Sequence, residues 1–223
     1  MDQSKEQAYN LNNSEEHKIF YNRWARTYDD DFAKNNNYIY PSEVAKVFKS
    51  TVDADVKSVA DIGCGTGLVG LNFKNTSFSL DGFDISEGML EVAREKSVYN
   101  RLIALDLEKL HDYPKIRYDG ILSSGTFTLG HLGPKVLLKT LLLASYRAQC
   151  VIGVNHKHFV AEGFVDLLKY LVSKGIITQP RVTNVPIYSQ TKNKADINIG
   201  KLLVFKVCKQ LTTRSVISAG EGY

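Results

Sequence analysis

The run Val59-Ala60-Asp61-Ile62-Gly63-Cys64-Gly65-Thr66-Gly67 constrains this chain more than any other. Val56 to Ile62 has the length and apolar, β-branched content of a buried strand, and it runs straight into closely spaced glycines. Glycine permits a tight turn and lets a ligand approach the backbone closely. The amides of such a loop, and of a helix start behind it, stay free to bond that ligand. A plain glycine-rich turn between strand and helix is the competing reading.

The rest of the chain alternates in the same way. Helices are predicted from Ser14, where Phe20, Trp24 and Tyr28 recur every four residues and Asp29-Asp30-Asp31 end the stripe, and over Pro41 to Ser50. A short helix follows the glycines through Phe73, and a strand over Phe78 to Ile85 precedes a helix capped by Ser86. Strands are expected over Leu102–Leu105, Asp119–Ser123 and Cys150–Val154, with helices over Pro134–Tyr146 and Phe164–Val172, the latter closed by Gly175. Two last strands fit Arg181–Tyr188 and Lys201–Val207. Pro186 cannot donate to a ladder and places the first of them at an edge or bulge. The pattern predicts an α/β Rossmann-like three-layer sandwich, with a mostly parallel seven-stranded sheet and an antiparallel last strand. Residues 1–13 read as a flexible N-terminus, 14–208 as one domain, 189–200 as a polar loop inside it, and 209–223 as a loose tail.

Composition narrows the class. A chain of 223 residues with 43% apolar residues can bury one substantial core. The net charge is only +4 and the Lys and Arg residues are scattered, which argues against nucleic acid as a partner. No apolar leader or bilayer-length segment is visible; Val136 to Ala144 is broken by Lys139 and Thr140. Cys64, Cys150 and Cys208 are odd in number and widely spaced, as expected of reduced thiols in a cytoplasmic protein. His156-Lys157-His158 lacks a third ligand nearby, so no metal is expected; both histidines are placed instead at the mouth of the substrate site.

The chemistry is expected just beyond the strands, where such sheets bind ligands. Asp61 ends the first strand, Asp84 the second and Asp106 the third. A carboxylate there can accept two hydrogen bonds from vicinal ribose hydroxyls, and Ile85 and Met89 can flank an adenine. One such acid is commonly solvated or a helix cap. Three at successive strand ends beside one glycine loop are harder to read that way. Gly65-Thr66-Gly67-Leu68-Val69-Gly70 also matches the dinucleotide fingerprint, with Asp84 at the distance it requires, so a nicotinamide-dependent oxidoreductase is the rival enzyme.

The segments DIGCGTG, FDISEGML and ALDLE resemble the first three motifs of class I S-adenosylmethionine-dependent methyltransferases, a likeness covering residues 15 to 208. FYNRWARTYD, residues 20–29, and SSGTFTLGHLGP, residues 123–134, resemble the Williams–Beuren-region methyltransferase-like proteins. The resemblance implies a methyltransferase whose cofactor is S-adenosylmethionine. It implies that Gly63 and Gly65 face the methionine part with Asp61 close by, that Cys64 between them also binds the cofactor, that Asp84 holds the ribose, that Asp106 and Leu107 contact adenine, and that Ser123 lies near the methionine. It further suggests that Trp24 and Tyr28 close over the cofactor, although an aromatic stripe at helical spacing is usually core packing.

Methyl transfer needs a nucleophile held in line with the methyl–sulfur bond and water excluded, and positioning alone can supply about 7–11 kcal/mol. A dedicated base is therefore not required. If one is used, His131 is the first candidate and Ser124 the second, His131 alternatively bracing its glycine-flanked loop. A small-molecule acceptor is expected. The non-enzymatic rival is a silent module that keeps the cofactor fold as a scaffold. The polar N-terminus is expected to act as a lid that orders over the cofactor.

Overall fold

In the computed structural model, which describes residues 7–8, 10–11, 13–109, 116–189 and 199–212, helices cover both faces of one seven-stranded sheet. The strands are β1 (Ser58–Ile62), β2 (Ser79–Asp84), β3 (Arg101–Ala104), β4 (Tyr118–Phe127), β5 (Ala144–Asn155), β6 (Arg181–Pro186) and β7 (Ile199–Lys206). Their order is β3-β2-β1-β4-β5-β7-β6. β7 runs antiparallel between β5 and β6, and the pairs among β1 to β5 are parallel. The predicted sheet is thus the observed one, with Pro186 on its edge strand. The chain winds outward from β1 to β3 and then returns to β4, so the order reverses between β1 and β4. Ligands of such sheets bind at that reversal.

Strand alternation divides the core. Ala60, Ile62, Ile121 and Ile152 face a layer formed by α4 (Pro134–Thr140), α5 (His156–Ala161) and α6 (Phe164–Ser173). Val59, Leu122 and Val151 face α2 (Tyr40–Thr51) and the 3₁₀ turn Gly70–Phe73. α3 (Glu87–Glu95) buries Met89, Leu90 and Ala93, and the Ser86 side chain caps it by accepting from the Met89 amide. α1 (Ser14–Trp24) is capped by Asn13 and joins Phe32, Tyr38 and Tyr188 in an aromatic cluster beside the sheet.

Several elements depart from the sequence expectation. The helix expected over Pro134–Tyr146 ends at Thr140; Leu141–Leu143 form a 3₁₀ turn and β5 begins at Ala144. An apolar run buried on every side carries no periodicity to separate helix from strand. Asp29-Asp30-Asp31 do not end the stripe but open a π-helical turn, Asp29–Lys34, with Lys34 bonded to Asp30 and Lys96 to Asp29 relieving the like charge. β4 runs past Ser123 to Phe127, and between those residues it advances four positions while β5 advances two, Ile152 to Val154. The resulting bulge pushes Ser124, Gly125 and Thr126 out of the ladder.

Most of the expected flexible terminus, loop 190–198 and tail residues 213–223 lie outside the described residues. The described ends are tied down: Ala8 and Leu211 are buried, and the Leu211 carbonyl accepts from Arg117.

Gly120 in β4 is glycine because a Cβ there would sit 2.4 Å from the Phe48 ring tip of α2. Gly120→Ala should therefore lower unfolding stability by about 1–3 kcal/mol through overpacking. Adding Phe48→Leu should make the pair less damaging than the sum of the single changes, because they share the same space. Chemical denaturation of the four proteins reads this; additive losses would refute the steric account.

Candidate functional site

A cleft opens at the carboxyl ends of β1 to β4, where the strand order reverses. Its floor is the glycine loop, Gly63 to Thr66. One side is Asp84, Ile85 and Met89 after β2, with Leu105, Asp106, Leu107 and Glu108 after β3. The far side is the β4 bulge with Gly130, His131 and Leu132, and the roof is His17, Tyr21, Tyr28 and Tyr38. Gly63 and Gly65 have φ of +64° and +52°, a region L side chains rarely adopt. A Cβ at Gly63 would collide with Thr126, whereas at Gly65 it would meet nothing within 4 Å. The backbone at Gly65 is therefore bare toward open space, as close approach of a ligand requires.

Asp84 organises this floor. Its Oδ2 accepts from the Gly65 amide and its Oδ1 from the Ser86 amide, both at 2.9 Å. Burial raises its pKa and these amide donors counter the rise. One carboxylate thus joins the glycine loop to the start of α3 and still has lone pairs free. Asp106 accepts from the Glu108 amide at 3.0 Å and lies 3.2 Å from Lys109.

Of the expected site residues, Tyr28, Gly63, Cys64, Gly65, Asp84, Ile85, Met89, Asp106, Leu107, Ser124 and His131 line the cleft. Trp24, Asp61 and Ser123 do not. Alternation along β1 turns Asp61 to the same face as Val59, beneath the glycine loop, where it is fully buried and its Oδ2 accepts from the Tyr99 hydroxyl at 2.6 Å. Burial pushes its pKa up to about 7, the Tyr99 bond opposing and the nearby Asp84 charge adding. Ser123 is buried and donates to the Ile62 carbonyl at 2.8 Å. Trp24 packs edge-on against Tyr28 at 4.9 Å and Phe32 at 5.7 Å, in the aromatic cluster rather than on the cleft. His156 and His158 also stay off the cleft; His158 is buried, its Nε2 3.0 Å from the Leu132 carbonyl. Among the described residues no cluster of three His, Cys, Asp or Glu side chains could hold a metal.

Tyr99, which sequence reasoning passed over, explains two of the glycines. Its ring lies against Gly67 and Gly70, where a Cβ would come within 3.0 and 2.6 Å, and its hydroxyl accepts from the Gly70 amide at 3.2 Å. These glycines therefore make room for an internal ring. The segment behind the loop forms no α-helix, only the 3₁₀ turn Gly70–Phe73, and so lacks the helix N-terminus on which a pyrophosphate would rest. The dinucleotide match at 65–70 is one of letters only.

The N-terminal elements are bolted onto this floor. Asn22 Oδ1 accepts from the Ser86 hydroxyl at 2.7 Å and the Gly88 amide at 2.9 Å. Asp29 accepts from the Thr66 hydroxyl at 2.5 Å, and Lys96 reaches Asp29 and the Thr66 carbonyl at 2.6 Å each. α1 thereby presents His17 and Tyr21, one turn apart, to the cleft. His131 Nδ1 faces the Leu129 carbonyl at 2.9 Å, which can only accept, so Nε2 accepts from the Tyr21 hydroxyl at 2.8 Å. Burial lowers the His131 pKa to about 4 and keeps the ring neutral. His17 Nδ1 likewise donates to the Asn13 carbonyl at 2.8 Å, and its Nε2 is buried with no partner among the described residues. Ser124 Oγ is likewise buried and unpartnered. The i, i+4 spacing of His17 and Tyr21 on the aromatic stripe was the available sequence signal for both.

Residues 59–146 match the family described as methyltransferase domain. Among solved structures, magnesium protoporphyrin IX methyltransferase (ChlM) from Synechocystis PCC 6803 with bound S-adenosylmethionine is 19% identical, covering 88% of this chain and 98% of that one at a TM-score of 0.62. Plantazolicin methyltransferase BpumL in complex with S-adenosylhomocysteine is 14% identical, covering 92% and 99% at 0.58. A TehB-like S-adenosylmethionine-dependent methyltransferase from Corynebacterium glutamicum is 18% identical, covering 88% and 98% at 0.54. No curated protein matches in sequence. The likeness to a methyltransferase domain thus lies over 59–146, and the fold of the whole chain is the Rossmann-like one of these structures.

Because the folded-state pKa of Asp61 is raised, the native protein binds more protons than the unfolded chain between about pH 4 and pH 7. Asp61 thus favours folding below that window and loses the effect as pH rises through 7. In paired thermal melts, stability of the native sequence should fall relative to Asp61→Asn between pH 5 and pH 8. Parallel curves would show that Asp61 does not titrate there.

Proposed function

We propose that this chain transfers a methyl group from S-adenosylmethionine to a small-molecule acceptor bound beneath α1. The carrying observation is the pairing of Asp84 with the bare backbone of Gly65 on the floor of the cleft. The residues suit the adenosyl compound along its length. The free lone pairs of Asp84 would accept from the ribose hydroxyls, and Ile85, Met89 and Leu107 would sandwich the adenine, with Asp106 at its rim. Gly63, Cys64, Gly65 and the orphaned Ser124 hydroxyl would serve the polar methionine end. The named substrates of the neighbours, magnesium protoporphyrin IX and plantazolicin, differ from each other, so the shared fold does not choose the acceptor.

S-adenosylmethionine supplies an electrophilic methyl group on a sulfonium, so the protein's task is to position, desolvate and manage one proton. His17, Tyr21 and His131 stand together where the roof of the cleft meets its far side. A protic acceptor placed there would give its proton to the lone pair of His17 Nε2. Neutral His131 holds the Tyr21 hydroxyl in place, while Ser124 orients rather than abstracts. α1 and the Asp29–Lys34 turn form the lid. Asn22 and Asp29 latch it to the two segments that would hold the cofactor, so opening it breaks bonds to both.

Two measurements test this reading. Asp84→Ala removes two charge-assisted bonds to the ribose at about 1.5 kcal/mol each, so the dissociation constant for S-adenosylhomocysteine should rise about 100-fold. Isothermal titration should show micromolar binding by the native sequence and no heat with NADH; binding of NADH alone would restore the oxidoreductase reading. Separately, S-adenosylhomocysteine should slow amide exchange across residues 13–40, and unchanged exchange there would remove the lid.

A further inference from the structure

Lys96 touches both the floor and the roof of the cleft without lining it. It follows α3, and its side chain is only 15% exposed. Its Nζ donates to Asp29 Oδ2, in the turn that continues the roof, and to the Thr66 carbonyl, in the glycine loop, at 2.6 Å each. Asp29 Oδ1 in turn accepts from the Thr66 hydroxyl. The three residues close a ring of bonds in which one ammonium serves loop and roof at once.

Neither the loop nor the roof is fixed by packing alone. Thr66 lies between Gly65 and Gly67, whose φ of +52° and +89° glycine adopts freely, so this backbone must be held from outside. The roof does not pack solidly onto the sheet: a smaller cavity of about 70 Å³ lies behind it, and Tyr21, Tyr28, Tyr38, Gly125 and His131 line both spaces. The other end of α3 repeats the arrangement. There the Ser86 hydroxyl and Gly88 amide donate to Asn22 of the roof, while Asp84, just before them, holds the Gly65 amide. α3 is therefore a strut tied to roof and floor at both ends.

We propose that Lys96 is a positioning residue for the cofactor, its ammonium coupling closure of the roof to the shape of the glycine loop. The proposal deepens the methyltransferase reading and rests on it. Lifting the roof takes Asp29 away from both Thr66 and Lys96, so the loop loses support as the roof opens. By linkage, a ligand that fixes the loop favours the closed roof. The competing reading is an ordinary ion pair that adds a little stability and nothing more.

Lys96→Met keeps the length of the side chain and removes its charge and donors. In calorimetry on the full chain, the dissociation constant for S-adenosylhomocysteine should rise about tenfold, the worth of one charge-assisted bond. In amide exchange, S-adenosylhomocysteine should still protect residues 63–67 and 84–89 of this variant, but no longer residues 13–40. Asp29→Ala should also cost about tenfold, and the double variant little more than either change alone, because both act through one ring. Glu95→Gln breaks an exposed ion pair between the same helix and the roof that does not touch the glycine loop, and it should leave affinity and protection as in the native sequence. Lys96→Gln keeps a donor for Thr66 and should fall between native and methionine; it stands in for Lys96→Met should that variant not fold. Unchanged affinity at position 96, roof protection retained on binding, or additive losses in the double variant would each overturn the coupling and leave the function reading intact. Failure of S-adenosylhomocysteine to bind the native sequence would overturn both.

Discussion

The buried contact between the Tyr99 hydroxyl and Asp61 underlies the rest of the site. β1 ends with a carboxylate turned into the protein, and an acid so placed needs a donor. Tyr99 supplies it from the segment leading into β3, and its ring then occupies the space left by Gly67 and Gly70. The glycine loop is thereby fixed from beneath, with its bare face turned outward at Gly65. Asp84 fixes it from the side through the Gly65 amide. Two acids at the ends of neighbouring strands thus divide the work: Asp61 shapes the floor from inside and Asp84 faces the cleft. Separate roles also suit their electrostatics. The Asp84 charge helps raise the Asp61 pKa, and an Asp61 that carries a proton spares the loop a second negative charge.

Much of this was readable from the sequence because it is local. A strand, a glycine loop, a second strand ending in Asp84 and a capped helix follow one another within a few dozen residues, and each carries its own signal in periodicity, glycine or capping residue. The sheet followed from alternation, with Pro186 marking the edge. What was misread turned on facing. The sequence places Asp61 and Ser123 beside the cleft, but only the pleat of the folded sheet shows that both point away from it. Trp24 stood on the stripe with Tyr28, yet Tyr28 lines the cleft and Trp24 lies behind it. The aromatic stripe and the roof of the cleft belong to one N-terminal segment seen from two sides, and spacing alone does not separate them. Tyr99 was invisible for a different reason: its partners lie 29 and 38 positions away, and only the closed fold brings them together.

The bulge of β4 shows how a small irregularity makes room for chemistry. A regular strand would carry its ladder straight from Ser123 to Phe127 and close the crevice between β1 and β4. The extra residues instead lift Ser124, Gly125 and Thr126 into the cleft, and Ser123 and Thr126 pin both ends of the excursion to the Ile62 carbonyl. The same segment walls both cavities at Gly125, so the place where the sheet departs from regularity is the place where the two spaces meet.

The N-terminal elements complete the site by roofing it. Lys96, Asp29 and Thr66 form a chain of short contacts among partly buried groups, where solvent screens less than at the surface. The neighbouring Arg26 pairs with Glu91 and Glu95 are more than half exposed and contribute little. The strength of the latch therefore sits on the glycine loop itself. A ligand that displaced the Thr66 contacts would loosen the roof, whereas one that filled the cleft while leaving them intact would hold the roof down. The bare backbone at Gly65 permits the second outcome, since a guest can approach there without competing for the groups that Asp29 and Asp84 already engage. Binding and closure then favour one another through a single loop, with no need for a longer path of coupling.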